Sequence, residues 1–344
     1  MRALLILASA AALAGCETLA YYGQAASGQL ELLGRARPVA EVIADEATPP
    51  ALRAKLERAK AIREFAAREL ALPGDGAFRR YAGLERPYAV WNVVAAPEFS
   101  LEPVQSCFPV AGCVAYRGYF EREAAERHGE ARRAAGEDVV VYGVPAYSTL
   151  GWFDDPLLST FIDYPEVELA RLVFHELAHQ VAYVKDDTTF SESFAVAVER
   201  EGLRRWAAAT GRAVPPNEGR QALLALAEKA RAELEPLYAS GLPEEEKRRR
   251  KREALEPLQP WVARLPGFEG QEANNAFLAL FAAYTQDVPA FERLLADAGG
   301  DLARFYARVR EIARLPRAER DAALRSALSR PSETPAPTPS STLR

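Results

Sequence analysis

Apolar residues recur at two different spacings along this chain of 344 residues. Between Pro50 and Leu70 they return every three or four positions among Lys, Arg and Glu, which predicts an amphipathic helix. Tyr88–Ala96 and Asp138–Val144 are short and rich in β-branched residues, which predicts strands. Together these elements predict an α+β fold, mainly α, with a small sheet. One further helix is predicted over residues 166–184, and a second begins near Ser191. Two more helices are predicted within residues 217–258, one over Asn274–Tyr284, and one over Phe291–Leu315 that is broken at Gly299-Gly300.

The helix predicted over residues 166–184 carries the pattern His-Glu-Leu-Ala-His from His175 to His179. Residues four apart share one face of a helix, so both imidazoles can bind a single ion. Glu176 lies about 100° from His175 around the axis, beside the ion, where it can activate a zinc-bound water. The chain has only three histidines, and two of them are in this pattern. We therefore predict one Zn²⁺ ion bound by His175 and His179, with Glu176 as catalytic base.

A catalytic zinc site takes three protein ligands, and the third is expected from the next helix. Glu192 and Glu199 lie seven residues apart there, and so on one face. Glu192 is preferred because it follows a short polar loop and because the small Ala195 comes after it, where helices must pack closely. Glu199 is the alternative ligand. If Glu192 binds the metal, Glu199 is expected to orient a histidine ring.

Peptide hydrolysis also needs a hydrogen-bond donor to the carbonyl oxygen and a place for the substrate backbone. Tyr284 and Tyr147 are the candidate donors, with a purely structural role as the alternative for each. Zinc peptidases of this kind pair their substrate with an edge strand beside the zinc helix. The nearest preceding strand leads into the segment that is predicted to pair with the substrate: Ala146, Tyr147, Ser148, Thr149, Leu150 and Gly151. The alternative is an ordinary strand and loop that pack on the core.

The first twenty residues predict the compartment. One arginine precedes an apolar run from Ala3 to Ala14, which is typical of a secretory signal and too short to span a membrane. Leu13-Ala14-Gly15-Cys16 resembles a bacterial lipobox, which implies removal of residues 1–15 and acylation of Cys16. The lipid bilayer is thus a predicted partner in the bacterial periplasm, and Glu17 favours the outer membrane over the inner. An ordinary signal peptide with an incidental cysteine is the alternative.

Two further cysteines, Cys107 and Cys113, have five residues between them. In an oxidising compartment such an even pair predicts a disulfide that closes a small loop. A pair of metal ligands is the alternative, but no histidine lies near enough in sequence to complete such a site.

Charge and composition bound the remaining possibilities. The net charge of −5 at pH 7 argues against a nucleic-acid partner. Residues 16–330 are predicted to form the metallopeptidase domain, whose C-terminal part from about residue 217 is helical. Residues 331–344 are rich in proline, serine and threonine, which predicts disorder.

Four stretches together resemble a family of bacterial lipoproteins described as predicted zinc aminopeptidases: Cys113–Phe120, His175–Gln180, Asp187–Trp206 and Asn274–Ala276. The resemblance covers most of residues 10–310. It implies a zincin-like fold, a peptide substrate and a role for each site residue: His175, His179 and Glu192 as ligands and Glu176 as base.

The chain departs at one position from better-studied zinc peptidases with a glutamate ligand. Val196 replaces the acidic residue that they carry four positions after the ligand glutamate, so the partner of the histidines must come from elsewhere. The sequence thus predicts a membrane-tethered zinc metallopeptidase, with aminopeptidase as the subtype that the resemblance implies. The alternatives are an endopeptidase, a peptidoglycan-peptide hydrolase and a non-catalytic envelope lipoprotein with a structural metal.

Overall fold

The computed structural model describes residues 2–108, 112–147, 149, 153–216 and 218–329; within 2–18 it describes the helical backbone only. The chain is α+β and mainly helical, which confirms the predicted fold class. The helices are α1 Arg2–Arg35, α2 Val39–Ala44, α3 Pro50–Glu69, α4 Arg122–Ala134, α5 Glu166–His179, α6 Thr188–Thr210, α7 Glu218–Ala239, α8 Glu244–Leu255, α9 Gln259–Val262, α10 Asn275–Ala283, α11 Val288–Asp297, α12 Leu302–Ala313 and α13 Arg317–Ser329. The predicted disordered tail, 331–344, lies outside the described residues.

The strands form small sheets. They are β1 Arg37–Pro38, β2 Arg80–Ala82, β3 Val90–Pro97, β4 Ser106–Phe108, β5 Gly112–Val114, β6 Arg117–Tyr119, β7 Glu137–Val144 and β8 Leu157–Leu158. The central sheet has the order β6-β3-β7 and is antiparallel, with Val93 opposite Val141. A second sheet has the order β1-β2-β8, and β4 and β5 form a hairpin. The long predicted strands are therefore the central pair β3 and β7.

Three groups of buried apolar side chains form the core. The largest surrounds α5 and α6 and includes residues of α3, α11 and α12. The second lies between one face of the central sheet and α7, α8 and α10, and the third between the other face and α4. Alternation along β7 separates these two groups, because Val140 and Tyr142 belong to the second and Val139 and Val141 to the third.

Helices α5 and α6 run antiparallel and pack closely. Residue 175 on α5 lies beside residue 192 on α6, and residue 171 lies beside residue 199. A Cβ atom on Gly202 would lie 2.7 Å from the Phe174 ring, so the glycine permits the close approach. The predicted helix 166–184 ends five residues early, at His179. The next helix is capped by Asp187, not by Ser191, because the Asp187 carboxylate accepts the Phe190 N–H at 3.0 Å.

The N-terminal helix extends beyond the predicted signal and anchor. Helix α1 continues through the polar residues 21–35 and ends at Arg35. The helix packs where it has no side chain: a Cβ atom on Gly28 would collide with the Phe120 ring at 2.0 Å. Gln24 Oε1 also accepts the Phe120 N–H at 2.9 Å. Among the described residues, no helix has the length and hydropathy needed to cross a bilayer.

The predicted Cys107–Cys113 disulfide is present and joins β4 to β5. This hairpin packs on the turn after α5, where the Asp186 carboxylate accepts the Cys113 N–H at 2.5 Å. Gly112 lies so close to the same turn that a Cβ atom there would meet Lys185 at 2.3 Å. The disulfide thus fixes a loop against the chain that connects α5 to α6.

Candidate metal centre

Helices α5 and α6 bring three metal-ligating side chains together. Donor atoms of His175, His179 and Glu192 all lie within 4.8 Å of one another. Glu192 Oε2 is 3.2 Å from His175 Nε2 and 3.7 Å from His179 Nε2. The side chains are largely buried, with 14%, 6% and 11% exposure for His175, His179 and Glu192. Two imidazoles and one carboxylate that face a common point form a group that could hold a metal ion.

Glu199 lies behind the first histidine. Its Oε2 is 3.2 Å from His175 Nδ1, on the opposite edge of the ring from Glu192. A carboxylate at Nδ1 fixes the N–H there and leaves Nε2 free to bind a metal. The structure therefore groups Glu192, and not Glu199, with the two imidazoles that could hold a metal, and places Glu199 at His175 Nδ1. This contact also supplies the histidine partner that Val196 cannot.

The charges at the site favour a bound cation. Burial lowers the pKa of His175, but hydrogen bonds to Glu192 and Glu199 outweigh burial and raise the pKa to about 10. Burial raises the pKa of Glu192, yet the charges and hydrogen bonds of His179 and His175 hold the pKa well below its usual range. The negative charge of Glu192 at the His175 and His179 rings therefore favours a cation between them.

The donor set fits zinc. Two histidines and one glutamate are a ligand combination of catalytic Zn²⁺ sites, which leave one position for water or substrate. The second imidazole differs from the first, because His179 Nδ1 is buried with no hydrogen-bond partner. Burying an imidazole nitrogen without a hydrogen-bond partner costs free energy. A metal ion bound at His179 Nε2 would offset that cost.

Several tyrosines surround the carboxylates of the site. Tyr284 follows α10, and its ring is stacked on His175 with the centroids 6.1 Å apart. Burial raises the pKa of Tyr284 well above its usual value, and the charges of Glu192 and Glu176 raise it further. Burial and the same two glutamates also raise the pKa of Tyr116. Both phenols therefore stay protonated near neutral pH.

The turn that carries Tyr284 is hydrogen-bonded directly to α6, the helix with Glu192. Ser193 Oγ on α6 donates to the Ala283 carbonyl at 3.1 Å and accepts the Asp287 N–H at 3.2 Å. Ser193 is the residue after Glu192, so the ligand and the turn with Tyr284 share one support.

The structure places the other candidate tyrosine away from this cluster. The Tyr147 ring packs on Phe120 at 5.1 Å, and its pKa is raised by burial and then by Asp155. Thr149 likewise bonds to Asp155, through its N–H at 2.7 Å and its hydroxyl at 2.8 Å. Tyr147 thus belongs to a loop closed by Asp155.

The predicted substrate strand, Ala146–Gly151, needs correction. Ala146, Tyr147 and Thr149 lie outside any strand, and Ser148, Leu150 and Gly151 lie outside the described residues. The preceding edge strand is also occupied, because Gly143 N–H donates to the Gly267 carbonyl at 2.9 Å and Val141 N–H donates to Gln271 at 2.9 Å. The chain's own loop after α9 therefore holds the hydrogen-bonding positions that a substrate would use on β7.

Sequence reasoning missed several residues near the centre. Arg171 precedes His175 by one turn of α5, so helical spacing could have indicated it. Tyr183 follows His179 by four residues but lies beyond the end of α5. Tyr116 and Tyr142 come from the chain after β5 and from β7, and no local pattern connects them to the histidines. Burial raises the pKa of Tyr142 and of Tyr183 to about 12, with Glu192 adding to each.

A family model described as "Putative aminopeptidase" matches residues 20–324. The chain belongs to this family. The match includes both helices of the metal centre, the disulfide hairpin and the turn with Tyr284. No curated protein and no solved structure gives a significant match. Membership of the aminopeptidase family supports a peptidase activity.

Proposed function

We propose that this member of the aminopeptidase family is a zinc-dependent peptidase of zincin-like architecture that removes residues from the free N-termini of peptides. The observation that carries the proposal is the convergence of His175, His179 and Glu192 on one point. Glu176 lies next to the first ligand in the chain, which is the position of the base in zinc peptidases. The aminopeptidase subtype rests on the family match.

The chain's own groups divide the reaction between them. A bound Zn²⁺ would supply Lewis-acid polarisation of the peptide carbonyl and make a water nucleophilic near neutral pH. The Glu176 carboxylate takes the proton of the attacking water and delivers it to the leaving amine. The Tyr284 hydroxyl donates to the carbonyl oxygen as it becomes negative, because burial keeps this phenol protonated. Glu199 holds the His175 ring in place throughout.

The proposal includes a location. Residues 1–15 act as a secretion signal, and Cys16 is acylated and holds the protein at a bacterial membrane, on the periplasmic side and with the outer membrane favoured. The support is the lipobox-like sequence before Cys16 and the disulfide, which is typical of an oxidising compartment. Labelled palmitate incorporated by the wild type should be lost in Cys16→Ser. Equal labelling of both would refute acylation at this residue.

The test of the activity combines zinc content with peptide cleavage. The full chain in detergent is assayed for bound zinc and against a peptide library with free or acetylated N-termini. The comparison is with Glu176→Gln and with Glu168→Gln, which alters an exposed carboxylate on the same helix and should match the wild type. Glu176→Gln should keep its zinc and lose cleavage by at least about 100-fold, since general base catalysis supplies factors of that size.

Each outcome separates the possible functions. Cleavage only of free N-termini, dependent on Glu176, supports an aminopeptidase. Cleavage of acetylated peptides as well would assign an endopeptidase. Stoichiometric zinc without Glu176-dependent cleavage would assign a structural metal, and a wild type that binds no zinc would refute the proposal.

A further inference from the structure

Arg171 stands at the outer end of a line of contacts that leads to the metal centre. Its Nη1 donates to Glu199 Oε1 at 2.6 Å, and Glu199 Oε2 lies 3.2 Å from His175 Nδ1. Glu199 is almost fully buried, with 5% of its side chain exposed, and Arg171 is 17% exposed. The two oxygens of one carboxylate therefore serve two different partners.

This arrangement solves a problem of burial. A carboxylate inside a protein is stable only when it is paired. His175 cannot be the lasting partner, because an imidazole that binds a metal is neutral and contributes only its Nδ1–H. A guanidinium remains charged at every physiological pH. Arg171 donates a hydrogen bond to Glu199 Oε1 and, with the nearby charge of Arg220, holds this carboxylate in place once His175 is neutral.

Helix geometry explains why Arg171 can reach this position. It lies four residues before His175, on the same face of α5, so one helix presents both side chains to Glu199 on α6. The second ligand has no equivalent support among the described residues, where His179 Nδ1 is buried without a hydrogen-bond partner. The orientation of the metal ligands is therefore fixed mainly on the His175 side.

We propose that Arg171 is a positioning residue for the metal centre, which acts through Glu199 to hold His175 in the orientation that binds zinc. The proposal rests on the proposed zinc site. Arg171 also pairs with Glu168 at 3.1 Å, but that carboxylate is 43% exposed, and exposed pairs contribute little. The functional contact is the buried one.

The test measures zinc affinity, not turnover. Metal-free full chain in detergent is titrated with Zn²⁺ in competition with a chelating dye, and the fold of each variant is checked by circular dichroism. Arg171→Met should weaken zinc binding about 10-fold to 100-fold, the usual effect of removing an outer-shell partner of a ligand. Glu168→Gln removes only the exposed partner and should bind zinc as the wild type does.

A double-mutant cycle tests the route through Glu199. If Arg171 acts through Glu199, Arg171→Met should weaken zinc binding no more than about twofold further in a Glu199→Gln protein. The same 10-fold loss in both backgrounds would overturn the proposal, as would wild-type affinity in Arg171→Met. Should Arg171→Met not fold, Arg171→Gln keeps a hydrogen-bond donor without the charge and should weaken zinc binding; wild-type affinity in Arg171→Gln would overturn the proposal. A wild-type chain that binds no zinc refutes the proposed function itself.

Discussion

Removal of the Arg320 side chain tests how α6, the helix with Glu192, is held at its start. Arg320 on α13 donates to Asp187 Oδ2 from Nε at 2.8 Å, and its Nη2 forms an ion pair with the same oxygen at 2.7 Å. Both side chains are buried, with 6% and 5% exposure. Asp187 Oδ1 accepts the Phe190 N–H, which caps α6 five residues before Glu192. We predict that Arg320→Met strongly destabilises the protein.

The magnitude follows from burial. A hydrogen bond to a charged group is worth about 1.5–3 kcal/mol, and Arg320 makes one with Asp187 beside the ion pair. Removing one partner from a buried pair costs about 3–5 kcal/mol, because the remaining charge stays buried without a counterion. The Phe190 N–H still bonds to Asp187, so we expect a loss of about 3–4 kcal/mol in the free energy of unfolding. Domains of this kind have about 5–15 kcal/mol in total.

The measurement is urea unfolding of metal-free protein, followed by circular dichroism, since bound zinc would add its own stabilisation. Arg200→Met is the matched control. Arg200 pairs with Glu292 at 2.8 Å, but the two side chains are 47% and 44% exposed, so the loss should be under about 1 kcal/mol. Adding Asp187→Asn to Arg320→Met removes the unpaired charge and keeps a capping oxygen, so about half of the lost stability should return.

Two results would refute this reasoning. Equal losses in Arg320→Met and Arg200→Met would show that burial of the pair is unimportant. A double variant as unstable as Arg320→Met alone would show that the unpaired Asp187 charge is not the cause.

Three further predictions concern the tyrosines and one loop. Tyr284→Phe should lower kcat about 100-fold with unchanged zinc content; unchanged turnover would remove Tyr284 from the mechanism. Gly267→Ala should cost about 3 kcal/mol in urea unfolding, because φ is +87° and the new Cβ would lie 2.4 Å from a β7 carbonyl oxygen. Gly270→Ala, with φ +77° and open space, should cost about 1 kcal/mol; equal losses would contradict the close contact. Burial raises the pKa of Tyr142 and Tyr183 to about 12 in the folded chain, whereas an unfolded tyrosine has a pKa of about 10. The contribution of these protonated phenols to the stability of the fold is therefore complete below pH 10 and is lost as the pH rises toward 12. Absorbance at 295 nm should show them protonated at pH 11 while the fold persists, and their ionisation at pH 10 in folded protein would contradict this.

The parts of the fold that were predicted are those whose cause is local in sequence. The helix at Pro50–Glu69 and the strands β3 and β7 follow from the spacing of apolar residues, and Cys107 and Cys113 lie close enough in the chain to pair. The histidine pair is also local, because one turn of helix separates its members.

The errors have distant causes. Ser191 looked like the cap of α6, but Asp187 holds that position because Arg320, 133 residues away, stabilises its charge. Ser191 instead accepts the Val184 N–H at 3.1 Å. That bond belongs to the turn that ends α5 at His179, short of the predicted end. Contacts between separate elements decided both boundaries, and no local pattern contains them.

The functional site shows the same division. Glu192 was preferred by sequence but Glu199 stayed an alternative, since seven residues on one helix put both on one face. The fold distinguishes them, because Glu192 contacts Nε2 and Glu199 contacts Nδ1, on opposite edges of the His175 ring. In the sequence alone, Arg171 looks like an ordinary solvent-exposed arginine of an amphipathic helix. Only the fold shows that it contacts the buried Glu199.

Because α1 is a continuous helix, it fixes the distance between Cys16 and the rest of the protein. Twelve residues separate Cys16 from Gly28, where the helix meets Phe120, and as helix they span about 18 Å. A flexible linker of that length would let the body tumble over all orientations at a similar mean distance. With Cys16 acylated as proposed, the helix would instead act as a stiff spacer that holds the catalytic centre at one height above the bilayer. Peptides presented at that height would be cut, and the same sequences displayed nearer or farther would be spared.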